Sequence, residues 1–200
     1  MEACVKGAEA DITFDGGRVV KRRGSKSYRA AALDVRLRRQ RTRSEARNIS
    51  RAREAGVRVP KLLSMDDKEY VLVFERIDGE LLRDVFGRGE SVRELSVEVG
   101  GILRRLHDGG IVHNDLTTSN LIASAGGVYL IDFGLAYHTA RLEDKAMDLV
   151  VFKKSIKATH TSISAMIWAG LMEGYLPDRE TLKRVETIEN RVRYKGANHS

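Results

Sequence analysis

A single cysteine, Cys4, rules out a disulfide within the chain, and no set of Cys and His residues has the spacing of a zinc site. Cys4 reads as a small apolar residue near the first strand rather than a reactive thiol. No apolar run approaches the roughly 18 residues of a membrane span, and the N-terminus lacks the apolar stretch of a secretory signal. A soluble, cytoplasmic protein without membrane contact is expected. No internal repeat or low-complexity linker occurs. Between residues 21 and 43 acid is nearly absent: ten Lys and Arg stand against Asp34 alone, so this segment carries +9 while the whole chain carries +7. The excess is local, as expected of a surface that meets a polyanion such as RNA or an acidic partner; the plainer reading is a solvated helix face.

What is present concentrates in His113-Asn114-Asp115-Leu116-Thr117-Thr118-Ser119-Asn120, followed twelve residues later by Asp132-Phe133-Gly134. Two carboxylates and an amide at this spacing suit phosphoryl transfer. One Asp takes the acceptor's proton, an Asn five residues on holds a metal ion, and the Asp before Phe-Gly holds the metals on a nucleotide. Asp115, Asn120 and Asp132 fit those roles, with ATP and Mg²⁺ as the implied cofactors. Leu121-Ile122 and residues 128–131 read as short strands around Gly126-Gly127, a hairpin that brings Asn120 and Asp132 together. Singly, the same residues could be a turn Asp, a cap and an Asp-initiated turn; their joint spacing argues for chemistry.

At 200 residues and 42% hydrophobic content the chain makes one large or two small domains, burying about 70% of its surface on folding. Residues 5–14 and 18–22 read as strands joined by Asp15-Gly16-Gly17. Gly7-Ala8-Glu9-Ala10, in the first of them, has small residues that let a backbone approach phosphates, although with one glycine only. Lys21 follows Val19-Val20 on the second strand, the place of a lysine that contacts phosphates. A helix is expected from Thr42 to about Ala55, stopped by Gly56 and Pro60. Glu45 on it is either the fourth residue of a Thr-x-x-Glu capping box or the partner of Lys21; a helix that starts earlier favours the ion pair. Two further strands flank Asp66-Asp67, and Glu75-Arg76-Ile77-Asp78-Gly79 ends the β-rich part. That composition shift divides the chain into residues 1–76 and 77–200. Glu75 and Ile77 then lie on a hinge whose backbone reads a nucleotide base, or on an ordinary surface turn. Ser91-Val92-Arg93-Glu94 is a second capping box, opening a helix with Val92, Leu95, Val99, Ile102, Leu103 and Leu106 in the core. His107 and His113 read as orienting histidines. Three more helices are expected over residues 143–158, 162–171 and 179 to about 194, then a polar, basic tail.

With Lys21, Glu45, the hinge, Asp115, Asn120 and Asp132 in this order, the chain resembles the protein-kinase superfamily over nearly its whole length. Gly7-Ala8-Glu9-Ala10, Lys26-x-Tyr28-Arg29, Leu33-Asp34-x-Arg36-Leu37, Arg41-Thr42-x-x-Glu45-Ala46-Arg47 and Asp115-Leu116-Thr117-Thr118-Ser119-Asn120 are similar, more narrowly, to the small, RIO-related kinase subunits of KEOPS complexes. The resemblance implies a compact two-lobed α+β fold, with a β-rich N-lobe and a reduced helical C-lobe. It also implies an atypical serine/threonine kinase or ATPase that supports threonylcarbamoyl-adenosine synthesis in tRNA, beside a threonylcarbamoyl-transferase and other KEOPS subunits. Departures from ordinary protein kinases matter too. Asn114 replaces the arginine that binds a phosphorylated activation loop, and Thr117 stands where a lysine usually meets the transferred phosphate. No Ala-Pro-Glu follows Gly134, so much of a peptide-docking lobe is expected to be absent. Asp148 braces the catalytic loop or is a helix-surface acid. The competing readings are a small-molecule phosphotransferase of the aminoglycoside-kinase type and an RNA-binding scaffold.

Overall fold

The computed structural model describes residues 4–6 and 10–197. Gly7, Ala8 and Glu9 lie outside the described residues; Ala10 is buried just ahead of a strand. Strands β1 (Cys4–Lys6), β2 (Asp11–Asp15) and β3 (Arg18–Arg22) are followed by helix α1 (Ala31–Glu54) and strands β4 (Leu62–Asp66) and β5 (Val71–Glu75). They form one antiparallel sheet in the order β1-β2-β3-β5-β4. The expected strand over residues 5–14 is therefore two, paired with Lys6 opposite Asp11. Asp15 pairs with Arg18 around the Gly16-Gly17 turn, where Gly16 takes φ +56°, a backbone that glycine reaches without steric cost.

Helix α1 begins eleven residues before Thr42, so Thr42 caps nothing. Its hydroxyl donates instead to the Arg38 carbonyl one turn back, at 2.9 Å. Polar contacts hold the first turns: buried Asp34 accepts from Arg38 Nε at 2.7 Å and from the Lys26 amide at 3.4 Å. The C-terminal half buries Ala46, Ile49 and Ala52 against Leu72 and Phe74 of the sheet. The helix closes as expected at Gly56 (φ +76°), whose amide reaches the Arg53 carbonyl while the Val57 amide reaches that of Ala52.

After Glu75 the chain becomes mainly helical: β6 (Glu80–Leu81), α2 (Leu82–Gly87), α3 (Val92–Asp108), β7 (Ile111–Val112), β8 (Leu121–Ser124), β9 (Gly127–Leu130), β10 (Tyr137–His138), α4 (Leu142–Thr159), α5 (Ser164–Tyr175) and α6 (Arg179–Ala197). Strands β6, β8 and β9 form a small sheet, and β7 pairs with β10. Every apolar residue expected on α3 is buried except Leu95, which is half-buried against the same core. Each such Leu or Ile contributes roughly 2 kcal/mol. The Ser91 capping box does not form: Ser91 sits in the left-handed region at φ +45° and its side chain makes no capping bond. Helices α4 to α6 match the expected three within a few residues, except that α5 runs on to Tyr175. Helix α6 carries the expected tail on as helix to Ala197.

Helices α3 and α5 meet backbone to backbone. A Cβ on Gly100 would stand 2.2 Å from the Leu171 carbonyl oxygen, and one on Gly174 only 1.9 Å from that of Val97. Glycines that read as weak spots in a helix are here what lets the two axes approach.

Candidate active site

Strand β3 carries Lys21 to the inner side of the sheet, 6% exposed, where α1 presents Glu45 at 1%. Lys21 Nζ donates to Glu45 Oε1 at 2.8 Å and to Asp132 Oδ1 at 2.7 Å. The ion pair expected of Glu45 is thus present and the capping role is not. Arg23, read in the sequence only as one of ten basic residues, takes the other Glu45 oxygen through Nη2. Its position two residues beyond Lys21 was the available signal, since alternate strand residues share a face. A four-charge chain results: Arg23, Glu45, Lys21 and Asp132.

The segment after β7 is shaped by Asp148, which is 1% exposed on α4. Its carboxylate accepts the amides of His113 and Asn114, each at 2.6 Å, and faces His107 Nε2 at 3.3 Å. Asp148 is therefore a brace and no surface acid. His107 Nε2–H donates to it, which leaves Nδ1 to accept from the Tyr175 hydroxyl at 2.8 Å; burial pushes that phenol's pKa up, keeping it a donor. Asn114 takes φ +62°, and Asp132, after β9, takes φ +61°; left-handed backbone in non-glycine residues marks both turns as held by their surroundings. His113 Nε2 lies 3.0 Å from the Ile131 carbonyl, which can only accept, so that nitrogen carries the proton. Asp148→Asn turns one acceptor oxygen into an amide facing a buried N–H. It is expected to cost about 2 kcal/mol, read as a lowered urea midpoint; an unchanged midpoint would remove Asp148 as the brace.

Asn120 Nδ2 donates to the Asp115 carbonyl at 2.7 Å and to its carboxylate at 3.2 Å, and the Ile131 amide donates to the Asn120 carbonyl at 3.0 Å. The hairpin β8–β9 thus brings Asn120 beside the strand that ends at Asp132. Partial burial pushes the Asp132 carboxyl up, but the Lys21 ammonium, the Gly134 amide and His113 outweigh it, and its pKa stands below the ordinary value. A cavity of about 380 Å³ opens between the two halves. Its wall includes Val19, Phe74 and Ile122 as well as Lys21, Glu45, Asn120 and Asp132, and also Glu75 and Ile77. Asp115 is exposed and not part of that wall; it reaches the cavity through Asn120. Ala10 is not part of it either. Asp132, Asn120 and Asp115 offer hard oxygen donors of the kind that suit Mg²⁺. Among the described residues no group of three or more His, Cys, Asp or Glu is placed to hold a metal ion, so a cation here would rest on two carboxylates, Asn120 and a ligand's own oxygens. No helix among them is long and apolar enough to cross a membrane.

Comparison with known proteins gives the family and the fold. The RIO domain family matches residues 13–157. The KEOPS complex subunit Bud32 of Pyrococcus abyssi is 38% identical over 185 residues, 88% of this chain and 84% of that protein. A probable bifunctional tRNA threonylcarbamoyladenosine biosynthesis protein of Methanothermobacter thermautotrophicus is 40% identical over 94% of this chain, which spans only 36% of that longer relative. Among solved structures, WaaP in complex with acyl carrier protein has a TM-score of 0.68 at 16% identity, covering 99% of this chain and 88% of that one. The Rio2 kinase–ADP/Mg²⁺–phosphoaspartate complex of Chaetomium thermophilum has a TM-score of 0.62 at 16% identity, covering 96% and 70%. These two share the two-lobed α+β kinase-like fold. By the domain match and by its likeness to Bud32 over most of both chains, this chain belongs to the RIO-domain family, among the Bud32 proteins.

Proposed function

We propose that the chain binds ATP with Mg²⁺ in the cavity between residues 1–76 and 77–200. It then acts as the atypical serine/threonine kinase or ATPase subunit of a KEOPS complex that makes threonylcarbamoyl-adenosine in tRNA. One observation carries this reading: Lys21 touches both Glu45 and Asp132 at the wall of a single cavity. Backbone groups at Glu75 and Ile77 meet the base, and Lys21, held by Glu45, meets the phosphates. Asn120 and Asp132 hold Mg²⁺, which when bound neutralises charge on the phosphates. Asp115 accepts the proton of a serine or threonine hydroxyl, or of water, as its oxygen bonds to the terminal phosphorus. The bond to the β-phosphate oxygen breaks and ADP leaves. Thr139, the threonine of the loop after Gly134, is buried with its hydroxyl on Asp144 at 2.7 Å, which fits an enzyme without an activation-loop switch.

The name of the Pyrococcus abyssi relative supports other KEOPS subunits as partners, and the partner of this reading is a threonylcarbamoyl-transferase subunit. ATP turnover is expected to rise when transferase subunit and tRNA are added together. Equal turnover with and without them would separate the catalyst from the complex, and no turnover in any mixture would leave only a scaffold.

The basic segment divides between internal and outward work. Lys21 and Arg23 are buried, and Arg38 is bound to Asp34 and lies 4.2 Å from the centre of the Tyr70 ring. Arg36, Arg39 and Arg43 are exposed on α1, although Arg39 and Arg43 share Asp67. These three are the ones to hold tRNA. Replacing all three by Ala is expected to weaken tRNA binding and to flatten its salt dependence by roughly 0.7–0.9 logarithmic units per lost phosphate contact. Arg38→Ala should lower stability and leave the slope alone. An unchanged slope in the triple variant would return this face to the solvent.

A further inference from the structure

Arg23 is 3% exposed, and while Nη2 is bound to Glu45, its Nε and Nη1 have no partner. A guanidinium keeps its proton in proteins, and leaving two of its nitrogens dry and unpaired is costly. Neither the ion pair of Lys21 with Glu45 nor the brace at Asp148 requires a second cation here. The surroundings suggest what it serves. A Cβ on Gly134 would stand 3.0 Å from Asp132 Oδ1, 3.4 Å from Arg23 Nη2 and 3.8 Å from Glu45 Oε2, so these charged groups converge on one glycine behind the cavity. Lys21 and Arg23 together balance Glu45 and Asp132, so without Arg23 this group would carry one net negative charge beside the cavity. Thr117 meanwhile contributes no positive charge on the catalytic loop.

We infer that Arg23 makes the cavity select its ligand by phosphate charge: it supplies the positive charge that keeps Glu45 and Asp132 from repelling a nucleoside polyphosphate, without touching it. The inference rests on the nucleotide reading above. A unit charge near the phosphates, at the effective dielectric of a protein interior, shifts affinity on the order of tenfold per phosphate charge.

The test is calorimetric binding of adenosine, AMP, ADP and ATP, without Mg²⁺, to the full chain and to its Arg23→Gln and Arg23→Lys variants, each checked by thermal melting. Gln keeps a donor near Glu45 and drops the charge. Arg23→Gln is expected to lose on the order of tenfold or more for ATP, less for ADP, and nothing for adenosine. Arg23→Lys should keep the wild-type ratio of ATP to adenosine affinity. An equal loss for all four ligands, or none for any, would assign Arg23 a packing role and overturn the inference while leaving the nucleotide reading intact. Failure of the wild type to bind any of the four would sink both. If Arg23→Gln does not fold, the ratio in Arg23→Lys decides: preserved supports the charge, collapsed overturns it.

Discussion

Asp132→Asn is expected to lower Mg-dependent ATP turnover and autophosphorylation on the order of 100-fold or more while the protein stays folded. The substitution removes the charge and keeps the volume. Asn tolerates the left-handed backbone at φ +61° about as well as Asp does, so the turn survives. The carboxylate is 45% exposed and packs little, and Lys21 retains Glu45 at 2.8 Å. Coupled-enzyme turnover beside a thermal melt reads both quantities. Unchanged turnover in a folded variant would end the assignment of Asp132 as a metal ligand.

Gly174→Ala is expected to be strongly destabilising, its Cβ having the closest contact among the described glycines. In an exposed helix the exchange of Gly for Ala gains about 1 kcal/mol. Here the new Cβ would stand 1.9 Å from the Val97 carbonyl oxygen and 3.0 Å from the Gly101 amide, both backbone atoms that no rotamer change can move aside. Helices α3 and α5 must separate, loosening Val99, Ile102 and Leu171, all fully buried. The expected loss is about 3 kcal/mol or more, with the sign opposite to propensity. Equilibrium urea unfolding gives it directly, and a midpoint at or above that of the wild type would contradict the backbone contact.

What the sequence made legible follows from how local its causes are. The Asp15-Gly16-Gly17 turn, the helical spacing from Val92 to Leu106 and the Asp115 to Asn120 interval each depend on residues near in the chain, and each appears in the structure. Misreadings arose where a competing or a distant partner decides. The Thr42 capping box is a good local signal, but an equally local pair, Asp34 with Arg38 one turn on, and the Lys26 amide on Asp34 build helix upstream of it. Gly100, Gly170 and Gly174 gain their role only once α3 and α5 stand together. Asp148 could be told from a surface acid only once its carboxylate was seen against two amides more than thirty residues away. The second cation on Glu45 was within reach, through the alternation of Lys21 and Arg23, but a run of ten basic residues hid it.

The ion chain through Lys21 also bears on the order in which the molecule assembles. Lys21 and Glu45 are 24 residues apart, whereas Lys21 and Asp132 are separated by 111. Closing so long a loop before the helical half has condensed would forfeit entropy that one partly exposed contact cannot return. The pair therefore belongs to the late side of the folding barrier, after β3 meets α1 and after the β8–β9 hairpin forms. Contacts made that late govern how fast a native chain opens and scarcely affect how fast it forms. The charges that define the cleft thus act, in kinetic terms, as a latch on the finished structure.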